Sequence, residues 1–148
     1  MCACLAKKTK VTMADGMVMD ISDVRLGDLV MNSEQHGFLR VINIWHSMED
    51  KYLKIFTENN NELCVTMGHP IYQENGFIRA EQLEEGAYVY GLWGEKVKVI
   101  SVKVVEECEK GLFCDLEFSE GADCGYTAEG IIVGNVEKEF ELGQSSSN

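Results

Sequence analysis

The stretch Thr9-Lys10-Val11-Thr12-Met13-Ala14-Asp15-Gly16-Met17-Val18-Met19-Asp20-Ile21 decides the fold class. Residues 9 to 13 alternate polar with apolar, Ala14-Asp15-Gly16 is a turn signal, and residues 17 to 21 return, which together predict a β-hairpin. Working outward, the same signature recurs. Strands are expected at Leu29–Met31, Leu39–Trp45, Tyr52–Thr57, Glu62–Thr66, Ala87–Leu92, Val97–Glu106, Leu112–Phe118 and Ile131–Val133. Lys96 to Lys103 alternates charged with apolar residues, the mark of a half-exposed strand. Helix signals are confined to single turns at Ser22–Leu26 and Arg79–Glu84. With one proline and 14 glycines, turns depend on Gly, Asn and Asp. The expected fold class is all-β.

A faint internal repeat accompanies these strands. Val24-x-x-Gly27-x-x-Val30 is echoed by Leu83-x-x-Gly86-x-x-Val89, each after a polar single turn and before a strand. So short a pattern arises easily by chance, but it suits two halves related by duplication.

Composition narrows the function. The 148 residues suffice for one core, and 45% apolar content argues against global disorder. No run approaches the apolar length needed to span a membrane, so no membrane partner is expected. A net charge of −12 disfavours nucleic acid, whose phosphates need clustered Lys and Arg. The six cysteines, Cys2, Cys4, Cys64, Cys108, Cys114 and Cys124, form no paired C-x-x-C knuckles, which weakens a zinc reading. No secretory pattern at the N-terminus supports a disulfide framework, so a reducing, cytoplasmic compartment and a monomer are expected.

Four segments carry the chemistry: Cys4-Leu5-Ala6; Thr66-Met67-Gly68-His69-Pro70; Cys114-Asp115-Leu116-Glu117-Phe118; and Tyr126-Thr127-Ala128-Glu129-Gly130-Ile131-Ile132-Val133-Gly134-Asn135. Read singly, each has a blander meaning: Cys4 a small buried hydrophobe, His69 and Asn135 turn residues. Their order and spacing together resemble the motif series of the hedgehog/intein (Hint) superfamily, in particular a minimal intein or bacterial intein-like domain without room for an inserted endonuclease. The resemblance implies a horseshoe-like fold of two pseudo-symmetric halves. It implies residues 4–135 as the self-processing domain, with 1–3 and 136–148 as flanks, the latter flexible.

The resemblance also implies roles. Cys4 would attack the Ala3 carbonyl in an N-to-S acyl shift, giving a thioester. His69 would protonate the departing nitrogen, and Thr66 would orient that amide. Asp115 would couple the two junctions, and Asn135 would cyclise to a succinimide, releasing everything from Val136. The substrate is then the chain's own flanking polypeptides, in a single turnover, with no cofactor and no metal.

Three departures modify this expectation. Gly134 stands where the family usually has His, Cys124 where it has another His, and Val136 where splicing needs Cys, Ser or Thr. Slow C-terminal cleavage follows unless Cys124 substitutes, and splicing is not expected because valine carries no nucleophile. Returning an imidazole at position 134 should then accelerate release. His36 and His46 match no motif. Two other functions are weighed: hedgehog-type thioester transfer to an external nucleophile, which Asn135 argues against, and a Cys-rich all-β metal- or protein-binding module.

Overall fold

The computed structural model describes residues 4–34, 37–121, 124–135 and 138–142. Cys2, Ala3, His36 and Val136 lie outside the described residues. The chain is nearly all β. Strands β1 (Leu5–Ala6), β2 (Lys10–Thr12), β3 (Val18–Asp20), β4 (Leu29–Met31), β5 (Phe38–Thr57), β6 (Glu62–Val65), β7 (Pro70–Gln73), β8 (Gly76–Arg79), β9 (Tyr88–Tyr90), β10 (Lys96–Phe118), β11 (Tyr126–Ala128) and β12 (Ile131–Val133) follow in order. The hairpin read from residues 9 to 21 forms as β2 and β3, with Val11 opposite Met19.

The strands make two six-stranded sheets, ordered β4-β5-β6-β1-β10-β9 and β3-β2-β11-β12-β7-β8. Exchanging β1 with β6, β4 with β9 and β5 with β10 reverses the first order onto itself. Exchanging β2 with β7, β3 with β8 and β11 with β12 does the same for the second. The faint repeat is the local trace of this duplication. Val24 and Leu83 each follow a 3₁₀ turn, at Ile21–Asp23 and Ala80–Gln82. Gly27 and Gly86 adopt φ of +87° and +89°, a region open to glycine without steric cost, and donate to Val41 and Val99 carbonyls, each at 2.8 Å. Val30 and Val89 are then fully buried.

The core lies between the sheets. Leu5, Val11, Ile21, Val30 and Leu39 share one cluster with Val65, Ile71, Val89, Val99, Leu116 and Tyr126. Each such aliphatic side chain contributes roughly 1.5–3 kcal/mol by leaving water.

Four expectations are corrected. Leu39–Trp45 and Tyr52–Thr57 are one strand, as are Val97–Glu106 and Leu112–Phe118. The ladder between β5 and β10 continues through the polar residues between them, shifting register between Glu106 and Gly111. The alternation at Lys96–Val99 is real, but a second register shift between Val99 and Ser101 leaves Ile100 exposed. The hairpin β7–β8 is absent from the sequence expectation. Finally, residues 138–142 of the C-terminal flank form a short helix instead of lacking structure.

Candidate active site at the strand ends

The duplication builds the Thr66–His69 turn. The His69 N–H donates to the Thr66 carbonyl at 3.2 Å, and the Ala80 N–H donates to the His69 carbonyl at 2.8 Å. In the other half, Thr9 donates to Ala6 at 2.9 Å and Ile21 donates to Thr9 at 2.8 Å. His69 therefore occupies the structural place of Thr9, and Thr66 that of Ala6. One copy of a structural turn carries a hydroxyl and an imidazole, both buried.

Strand registers bring the other segments to it. Leu5 pairs with Cys114 and Ala6 with Phe113, so the next step along places Cys4 opposite Asp115. Val133 pairs with Ile71 and the Gly134 N–H donates to the Pro70 carbonyl at 3.0 Å, so the following step places Asn135 opposite His69. Cys4 and Thr66 are joined directly. The Cys4 N–H donates to Thr66 Oγ1 at 2.9 Å, and the Thr66 N–H donates to the Cys4 carbonyl at 3.0 Å. Cys4, His69, Asp115 and Asn135 are each fully buried. Residues from four distant segments thus meet in one water-poor place, where polar groups interact strongly.

Asp115 is the electrostatic anomaly of this cluster. Burial holds its carboxyl well above the usual carboxylate range. Hydrogen bonds to Oδ1 from the Tyr126 hydroxyl at 2.6 Å and the Leu116 N–H at 2.7 Å pull the other way, and the charge of Glu139 adds to the rise. Oδ2 has no hydrogen-bond partner among the described residues. Tyr126 is itself pushed well up by burial and by Asp115. Sequence reading assigned Tyr126 no role. Its signal was a tyrosine heading the short strand Tyr126-Thr127-Ala128, because a buried tyrosine hydroxyl must find a partner.

Among the described residues Asn135 makes three hydrogen bonds. Its Oδ1 accepts the Lys138 N–H at 3.1 Å, its carbonyl accepts the Glu139 N–H at 3.2 Å, and its Nδ2 approaches the Gly121 carbonyl at 3.5 Å. The residue that would cyclise thus accepts two main-chain donors from the 138–142 helix. Gly134 is there for space: a Cβ would meet Pro70 Cβ at 2.8 Å and Lys138 Cγ at 3.0 Å. Cys4 is disulfide-bonded, whereas Cys64, Cys108, Cys114 and Cys124 are free thiols. Burial and the Glu62 carboxylate push the Cys64 thiol up to about 11. Cys124 is half-buried against the core, and His46 is exposed on β5. No group of three His, Cys, Asp or Glu among the described residues could hold a metal.

By sequence the chain matches no protein-family model and no curated protein. By structure it resembles the gp41-1 intein, at 26% identity and a TM-score of 0.74, over 88% of this chain and 97% of that one. It also resembles a bacterial intein-like domain from Clostridium thermocellum, at 17% identity and a TM-score of 0.78, over 91% and 99%. A DnaB intein from Synechocystis sp. PCC 6803 superposes with a TM-score of 0.72 at 15% identity, over 90% and 98%. Two six-stranded sheets, each built from both halves of a duplication, make up the fold this chain shares with these intein structures. The chain has the fold of inteins and intein-like domains of the hedgehog/intein superfamily, neighbours that support self-processing in general.

Proposed function

We propose that the chain is a cis-acting, single-turnover cleavage domain acting on its own flanks. The observation that carries this reading is the double hydrogen bond between Cys4 and Thr66. It fixes the amide nitrogen that must become the leaving group. The reduced Cys4 thiolate attacks the Ala3 carbonyl carbon, a C–S bond forms, and the C–N bond to Cys4 breaks. The nitrogen departs with a proton from His69, and the result is a thioester open to water or added thiol.

At the other junction, Asn135 Nδ2 attacks the Asn135 carbonyl carbon. The bond to residue 136 breaks, leaving a succinimide on the domain and a free amine on the flank. Asp115 is the acid that faces Cys4 by register, and its raised pKa suits it to assist either step. Val136 cannot receive the acyl group, so the two junctions are cleaved without ligation.

Reporters fused before Met1 and after Asn148 test the reading through product masses. Thiol or hydroxylamine should release the N-terminal reporter from the reduced wild type and not from Cys4→Ala. His69→Ala should slow that release at least about tenfold, the low end of a positioned acid's contribution, while the domain stays folded. Release from Cys4→Ala at the wild-type rate would sink the assignment.

A further inference from the structure

The C-terminal flank does not simply hang from Asn135. Lys138 Nζ lies over the Phe77 ring of β8, 5.4 Å from its centroid, a cation–π distance. Glu139 reaches the Thr66–His69 turn beside Arg79. A Cβ on Gly68 would fall 2.8 Å from Glu139 Oε2 and 3.0 Å from Arg79 Nη2, so a larger residue would occupy the space where carboxylate and guanidinium converge. Arg79 Nε also lies 3.0 Å from a Glu81 carboxylate oxygen. The Glu139 N–H meanwhile donates to the Asn135 carbonyl. In the proposed cyclisation that oxygen is where negative charge gathers as Nδ2 adds to the carbonyl carbon. A main-chain donor there does the work of an oxyanion hole.

Resting on the reading of Asn135 given above, we propose that Gly68, Phe77 and Arg79 form a docking subsite for the first turn of the chain's own C-terminal flank. The subsite takes a basic residue at 138 and an acidic residue at 139. Seating them holds the Glu139 N–H on the scissile carbonyl. The flank is thereby a selected substrate that supplies one of its own catalytic donors, and Arg79 is a positioning residue acting through it.

A charge-swap cycle on the full chain tests this. Arg79→Glu and Glu139→Arg should each slow release at Asn135 roughly tenfold, and the double variant should return to within about threefold of wild type. Glu139→Pro, which has no N–H to give, should slow release about ten- to a hundredfold. Glu81→Gln, which removes the other partner of Arg79, should leave the rate unchanged. Hydrogen exchange at the 138–142 amides, measured while the flank is attached, reads docking without the chemistry. Protection should fall in each single variant and return in the double. Wild type that never releases its flank, yet shows this exchange pattern, would refute the role of Asn135 and leave the subsite standing. Equal exchange in all variants, or no recovery in the double, overturns the subsite. Intact docking with release unaffected by Glu139→Pro overturns the donor role.

Discussion

Thr66 Oγ1 accepts the main-chain N–H of Cys4 at 2.9 Å while the Thr66 N–H donates to the Cys4 carbonyl at 3.0 Å, so one residue grips both main-chain polar groups of the proposed nucleophile. The grip costs nothing extra to the fold, because β1 and β6 already pair at Leu5 and Val65. It extends that pairing by one residue and substitutes a side-chain oxygen for a carbonyl at the reactive amide.

Thr66→Val keeps shape and removes the acceptor. The buried Cys4 N–H then loses this acceptor, a cost of about 1–3 kcal/mol. Valine should therefore lower Tm and slow thiol-induced release of an N-terminal reporter, whereas Thr66→Ser should retain most of both. Calorimetry and the release assay check this together. A Val variant with wild-type Tm and rate removes Thr66 from the mechanism.

Asp115 makes stability depend on pH in a direction its burial fixes. Its folded pKa is raised by burial above the unfolded value of about 3.9. Between those two values the folded state holds more protons than the unfolded one, so stability falls as pH rises through the window. Below about pH 3.9 both states are protonated and the full contribution is present. Asp115→Asn should flatten this part of the curve. Tyr126→Phe deletes a hydrogen bond that lowers the Asp115 pKa, so it should carry the upper end of the window to higher pH. Denaturant melts across pH measure both, and an unaltered curve in Asp115→Asn refutes the assignment.

Cys4 is disulfide-bonded and Cys124 is a free thiol, so Cys124 is not the residue that holds Cys4 oxidised. A sulfur held in a disulfide is no nucleophile, so N-terminal release should require reductant in wild type. Because Cys124 is a free thiol, Cys124→Ser should leave that requirement intact. Reporter release with and without a phosphine reductant, which cleaves disulfides but does not itself open a thioester, gives the comparison. Loss of the requirement in Cys124→Ser would assign it the trapping role.

What the sequence discloses here is whatever is encoded locally. The β2–β3 hairpin, Leu29–Met31 and Ile131–Val133 are legible because alternation and turn residues lie within a few positions of each other. The Thr66-x-x-His69 segment is legible only through its place in a series of four motifs that resembles the hedgehog/intein pattern. The long ladder of β5 and β10 is not. His46 to Lys51 offers no apolar face, and main-chain hydrogen bonds hold the ribbon without one. The β7–β8 hairpin does carry a signal, the Asn75-Gly76 pair at its turn, but Pro70 at the strand start obscures it. Gly134 is harder still. In the sequence it reads as a missing histidine. Only the packing explains the glycine, because the ring of Pro70 and the stem of Lys138 fill the space a side chain would need.

That packing reverses the expectation that an imidazole at 134 would speed release. The Cβ of Gly134→His would sit 2.8 Å from Pro70 Cβ, and a proline ring cannot turn aside as a flexible chain end can. Lys138 Cγ at 3.0 Å and Cβ at 3.1 Å close the other side. The substitution must push apart Pro70, next to His69, and Lys138, whose N–H holds Asn135 Oδ1. Overpacking of this kind costs about 1–3 kcal/mol. Gly134→His should thus lower Tm and fail to accelerate release of the C-terminal reporter. Lys138→Gly in the same chain removes one of the two obstructions and should recover part of the lost Tm. Adding Val136→Cys then supplies an acyl acceptor and asks whether relief of the clash permits ligation. Faster release from the single Gly134→His variant, with Tm unchanged, would mean the space is not closed and the histidine alone was lacking.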